Sequence, residues 1–134
     1  MTRRATLSSL LLAAFFLAFS GAAAHAGKLV PAKDPADALM KKLVDAVKAN
    51  DHAAFVADGT AKHQAISKAT FNLVSAHFAP MLLKGYKTTF LAVLRKPDNT
   101  THLWKLEPTG AGFKEDYELK LVIKDGKVDS FSIL

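Results

Sequence analysis

Between Asp34 and Gly85 the apolar residues of this chain recur at every third or fourth position, and from Tyr86 to the end they recur at every second. That change of period limits the fold more than any other feature. A spacing near 3.6 lines one face of a helix, and a spacing of 2 lines one face of a strand. In the first stretch Leu39, Met40, Leu43, Val44 and Val47 share a helical face opposite Lys41, Lys42, Asp45 and Lys48. Asp34-Pro35 supplies a capping acceptor and a proline suited to the first helical position, and the helix is predicted to end near Asn50. Asp51 caps a second, short helix carrying Phe55 and Val56 inward, which Asp58-Gly59-Thr60 breaks, and residues 60–66 hold a further helical turn. Ser67 caps a segment with Phe71, Val74, Phe78 and Met81 on one face; Pro80 predicts its end or a kink, and Gly85 closes the helical half. Strands are predicted over 86–95, 101–107, 117–124 and 128–134, the last two joined by the hairpin signal Asp125-Gly126. Helices first and strands last predict an α+β fold: N-terminal helices packed on one face of a four-stranded antiparallel sheet.

Ahead of this pattern stands a different one. Arg3 and Arg4 precede an apolar run over 10–19, and Ala24-His25-Ala26 forms a small-x-small cleavage site. The run is shorter than the roughly 20 residues that span a bilayer, so it reads as an export signal removed after Ala26. The expected organisation is a signal peptide at 1–26, a flexible lead-in at 27–34 and a single domain at 35–134, with no stable membrane insertion after cleavage. Removing the 26-residue leader and its two arginines leaves 108 residues and takes the formal charge from +6 to +4. This length suits one domain and excludes a multidomain enzyme. The chain has no cysteine, which excludes thiol chemistry, disulfides and cysteine-ligated zinc. An exported domain stabilised by packing alone points to the periplasm, or to secretion.

A two-residue hairpin about Asp125-Gly126 sets Ile123 opposite Val128, Leu121 opposite Ser130, Leu119 opposite Ser132 and Tyr117 opposite Leu134, all facing the helices. A bulge would swap the faces of the last strand. On the unbulged register Ser130 and Ser132 point inward, either to hydrogen-bond a ligand or to make room for a helix. Phe131 and Ile133 then form an outer apolar patch for a second subunit, the basis for expecting a homodimer.

The run Ala38-Leu39-Met40-Lys41-Lys42-Leu43-Val44-Asp45-Ala46-Val47-Lys48-Ala49-Asn50-Asp51-His52-Ala53-Ala54-Phe55 resembles the first two helices of nuclear transport factor 2-like domains. Leu121-Val122-Ile123-Lys124-Asp125-Gly126-Lys127-Val128-Asp129-Ser130-Phe131 resembles their last hairpin, and Phe71, Ala79-Pro80 and Gly85-Tyr86 are similar to small exported bacterial members of unassigned role. The resemblance covers residues 35–134. It implies a curved, cone-like sheet with a cavity at its open end and pairing through the convex sheet face. It names no activity, because the family includes steroid isomerases, polyketide cyclases, dehydratases, scaffolds and binders.

The residues that carry chemistry are few. A ketosteroid-isomerase-like site needs a carboxylate in an apolar pocket with tyrosine and a protonated acid as donors. Tyr86, Tyr117 and Asp116 are of the right types, but they do not align with that triad. His102, Trp104 and Leu106 share one strand face: Trp104 and His102 either line a ligand cavity, or Trp104 fills the core and His102 caps its edge. The candidate cavity residues are therefore Tyr86, His102, Trp104, Tyr117, Ser130 and Ser132. His63 and His77 lack a helical partner at metal-ligand spacing, and no metal site and no cofactor is expected. The lysines are scattered and one arginine remains after cleavage, which argues against nucleic-acid binding. The expectation is an exported, noncatalytic small-molecule-binding or interaction domain, the ligand being small and hydrophobic. Alternatives are an isomerase, cyclase or dehydratase of the same fold, and an adaptor or inhibitor working through its sheet face.

Overall fold

The computed structural model describes residues 34–134; the expected signal peptide and most of the lead-in lie outside the described residues. Among the described residues four helices precede four strands: α1 (Pro35–Ala49), α2 (His52–Val56), α3 (Ala61–Gln64), α4 (Lys68–Leu83), β1 (Tyr86–Arg95), β2 (Thr100–Pro108), β3 (Tyr117–Lys124) and β4 (Lys127–Ile133). The strands form one open antiparallel sheet in the order β1-β2-β3-β4, with the helices packed against it. The fold is α+β.

Each helix begins where a short side chain can accept from a backbone N–H left free in the first turn. Asp34 accepts from Ala36 at 2.9 Å, Asp51 from Ala54 at 3.0 Å, Thr60 from His63 at 3.4 Å and Ser67 from Thr70 at 3.1 Å. Such caps are worth about 1 kcal/mol each. Asn50 ends α1 in the left-handed region, at φ 53°. The buried face of α1 is Met40, Leu43, Val44, Ala46 and Val47, which joins Trp104, Leu106, Leu119, Leu121 and Ile133 of the sheet in one core.

α4 departs from its expected face and end. Val74 is 37% exposed while Ser75 is buried, its hydroxyl donating to the Val47 carbonyl at 2.6 Å. A small residue there lets the two helices approach, and the hydroxyl satisfies a carbonyl of the last turn of α1. The helix also continues through Pro80 to Leu83. Proline costs one hydrogen bond in the last turn, while Met81 and Leu82 directly after it are buried in the core.

The last hairpin supplies the main correction. Asp125 and Gly126 occupy the turn at φ 51° and 74°, and Ile123 pairs with Val128 as expected. The next pair, however, is Val122 with Ser130, so Asp129 is an extra residue in β4. Beyond that bulge Leu121 pairs with Phe131, Leu119 with Ile133, and Lys120 with Ser132. Ile133 is buried and Phe131 packs on the core with its ring 6.2 Å from Phe55. Phe131 and Ile133 thus face the helices instead of a partner subunit, and Ser130 and Ser132 share the outer face with Lys120 and Val122 instead of lining an inward cavity. The cause is tertiary. The Asp129 carboxylate accepts from the Thr60 hydroxyl at 3.0 Å and pairs with Lys62 at 3.3 Å, which draws the extra residue toward α3. The Thr60 hydroxyl, with Lys62, holds the Asp129 carboxyl below the ordinary carboxylate range.

The two edges of the sheet differ. Along β4, Thr60 N–H donates to Val128 O at 2.8 Å and Val128 N–H to Asp58 O at 2.9 Å, so the 58–60 segment covers part of that edge. No other described strand pairs with the outer side of β1, where Phe90, Leu91 and Leu94 are about half exposed.

Candidate functional site

A cleft of about 450 Å³ opens between α1 and β1, within the size range of small-molecule sites. Two periodicities build it. On α1, Asp37, Met40 and Lys41 are spaced by three and four, so they form one stripe beside the buried face. On β1, Tyr86, Thr88 and Phe90 alternate toward the same side, pairing with Pro108, Leu106 and Trp104 of β2.

Trp104 forms the floor. It is 2% exposed, and its Nε1–H donates to Asp37 Oδ1 at 3.0 Å across 67 residues of chain. The Phe90 ring stands edge-on to it at 6.1 Å between centroids and 71° between planes. Behind Trp104 along β2, the His102 ring lies nearly parallel at 5.9 Å and 17°, with Nε2 3.2 Å from the Thr100 hydroxyl. His102 therefore supports the indole from the side and does not line the cleft.

The charges in and around the cleft are unevenly matched. Lys41 is bound to Asp45 at 3.2 Å. Among the described residues no lysine, arginine or histidine nitrogen lies within 4.0 Å of the Asp37 carboxylate, whose partner is the indole. Burial, helped by the nearby Asp45 charge, raises the Tyr86 phenol above its ordinary pKa, and Lys41 partly opposes this. Tyr86 is thus a protonated hydroxyl in the wall of the cleft.

Of the residues singled out by the sequence, Tyr86 and Trp104 meet at this cleft, with His102 stacked behind. Tyr117 lies elsewhere, its ring 5.7 Å from Phe78 and perpendicular to it. Asp116 is more than half exposed near Lys105, at 3.8 Å. Ser130 and Ser132 are on the opposite sheet face. Sequence reasoning missed Asp37, Met40, Lys41, Thr88 and Phe90. The alternation from Tyr86 was the available signal for Thr88 and Phe90; nothing local announces that Asp37 meets Trp104.

His52 and His63 serve structure. His52 contacts the Ile66 carbonyl at 2.7 Å through Nε2. His63 is fully buried and its Nε2–H donates to the Phe55 carbonyl at 2.8 Å, which leaves Nδ1 as a lone pair with no partner. Burial lowers the His63 pKa below 6.5, while the Phe55 carbonyl and the Asp129 charge pull it partly back. The unfolded chain therefore binds a proton near pH 6.5 that the folded chain takes up only at lower pH. Stability from this group is fully present above the unfolded pKa and declines as pH falls through 6.5 toward the folded pKa. The Asp129 contribution is lost in a separate window, below 3.8. Urea midpoints should be lower at about pH 5.5 than at about 7.5, and His63→Gln should flatten the difference; an unchanged slope in the variant excludes His63 as its source.

Among the described residues no cluster of three histidines, aspartates or glutamates is placed to hold a metal ion, and no helix is long and apolar enough to cross a membrane. Comparison of the chain with models of known families and with curated proteins gave no match.

Proposed function

We propose that this chain is an exported, noncatalytic domain of the nuclear transport factor 2-like type that binds a small, mainly apolar molecule in the cleft between α1 and β1. The observation that carries this reading is the Trp104 indole at the floor of the cleft, fixed by its hydrogen bond to Asp37 and walled by Phe90. A buried, hydrogen-bonded indole presents a rigid surface for a flat or branched apolar group at little entropic cost. The Tyr86 and Thr88 hydroxyls and the Asp37 carboxylate are polar groups that would orient the ligand. The carboxylate engages an indole donor rather than a histidine or second acid, an arrangement that positions a ligand rather than passing a proton.

Trp104 is the one tryptophan of the chain, so its emission reports on the cleft alone. Protein recovered after export should carry a species of a few hundred daltons in native mass spectrometry, absent from the denatured mass, and re-adding that species should change Trp104 emission saturably. The same spectra read the cleavage after Ala26 and the expected homodimer. A protein that arrives empty and whose emission responds to no extracted compound fails this reading. A second reading, an interaction domain, is favoured by the open β1 edge with Phe90, Leu91 and Leu94 exposed. A different protein that co-sediments with it, with the cleft empty, would select it.

A further inference from the structure

We infer that the cleft selects an organic ammonium: a ligand with an apolar body and one positively charged nitrogen, seated at Asp37 beside Trp104 and Phe90. The inference rests on the binding reading above and names the chemistry of the ligand.

Three observations converge on it. First, among the described residues the Asp37 carboxylate has one hydrogen-bond partner, the Trp104 Nε1–H, and no cation within ion-pair distance. A carboxylate can accept about four hydrogen bonds, so this one, in the lining of the cleft, has accepting capacity left for a ligand. Second, the walls beside it are aromatic. Trp104 and Phe90 stand at 71° to each other, forming a corner, and Tyr86 follows two pairs along the strand. The faces of such rings carry negative potential and attract ammonium groups, more strongly when water is excluded. Third, the other charged side chain lining the cleft, Lys41, is paired with Asp45 at 3.2 Å, so among the described residues the Asp37 carboxylate is the charge of the lining without an ion-pair partner. An anionic ligand would meet that carboxylate, and a neutral one would leave it unpaired and partly desolvated. The Lys41 ammonium, tied to Asp45, is not needed to neutralise the ligand. The apolar body would rest on Met40 and the indole.

The test uses three probes that share one ring and differ in charge: benzylammonium, benzyl alcohol and benzoate, each titrated against Trp104 emission of the whole exported protein at neutral pH. Benzylammonium is expected to bind at least about tenfold tighter than benzyl alcohol, with benzoate weakest. Asp37→Asn keeps an oxygen for the indole N–H and removes the charge, so the ratio of the benzylammonium affinity to the benzyl alcohol affinity should fall to about one. Phe90→Leu changes a half-exposed side chain and tests the same idea without touching the indole hydrogen bond: it should reduce the ratio of the two affinities. Equal binding of all three, preference for benzoate, or a ratio that survives Asp37→Asn would overturn the ammonium inference while leaving the cleft a binding site. If no probe and no co-purified compound changes Trp104 emission, the binding reading falls, and this inference with it.

Discussion

Replacing Phe71 by alanine is expected to cost about 3–5 kcal/mol, the usual range for removing a buried phenylalanine. Phe71 is 1% exposed on α4, with the Phe55 ring 4.8 Å away and the His52 ring 5.6 Å away. It joins α4 to α2, and through Phe55 to His63 at 4.8 Å and Phe131 at 6.2 Å. The void has little means of collapsing, because Phe55 and His63 are themselves fixed and buried. For a domain of this size, a loss of that order lowers the melting temperature by roughly 15–30 °C and leaves little of a typical total stability. Leu73, two residues on in the same helix, is 75% exposed. Leu73→Ala should change stability by less than about 0.5 kcal/mol. Denaturant titrations of both variants check the pair, and a Phe71→Ala cost below about 1 kcal/mol would show that the aromatic cluster is not part of the stabilising core.

Gly59→Ala should destabilise by about 1–3 kcal/mol through crowding rather than through a lost contact. An added Cβ would stand 2.6 Å from His63 Cδ2 and 2.9 Å from His63 Cβ. His63 cannot swing away: it is fully buried and its ring nitrogen is bonded to the Phe55 carbonyl. The backbone of Gly59 cannot retreat either, since the residues on both sides of it bond to Val128 at the edge of β4. Equilibrium unfolding measures the cost, and a double-mutant cycle identifies its cause. Combining Gly59→Ala with His63→Ala should cost less than the sum of the two changes. Strict additivity would place the strain somewhere other than His63. Gly126→Ala is a useful contrast, because no atom lies within 4 Å of its added Cβ and its penalty is that of the backbone at φ +74° alone.

The helices and strands were legible because their signals are local. The caps at Asp34, Asp51 and Ser67, and the change of period at Tyr86, need only neighbouring residues to be read, and together they are enough for the α+β architecture. Pro80 misled because proline reports what the backbone at one position loses, whereas Met81 and Leu82 gain by burial in a core the local sequence does not show. The floor of the cleft was half legible. Trp104 and Tyr86 stand out as large amphipathic residues on strands, but the carboxylate that fixes the indole lies 67 residues away on the first turn of α1. Phe90 was passed over as one apolar residue among several in β1, and only the open edge of the sheet makes it a wall.

The Asp129 bulge behaves like a frameshift in a message read two letters at a time. The extra residue lets Val128 and Phe131, three positions apart, share the inner face, so deleting it would leave the same partners opposite each other, Val122 with Ser130, Leu121 with Phe131 and Leu119 with Ile133, in an unbroken ladder. What the deletion removes is the tie from the carboxylate to Thr60 and Lys62. A homologous chain one residue shorter at this point would keep the same core with its serines and apolar residues in the same order.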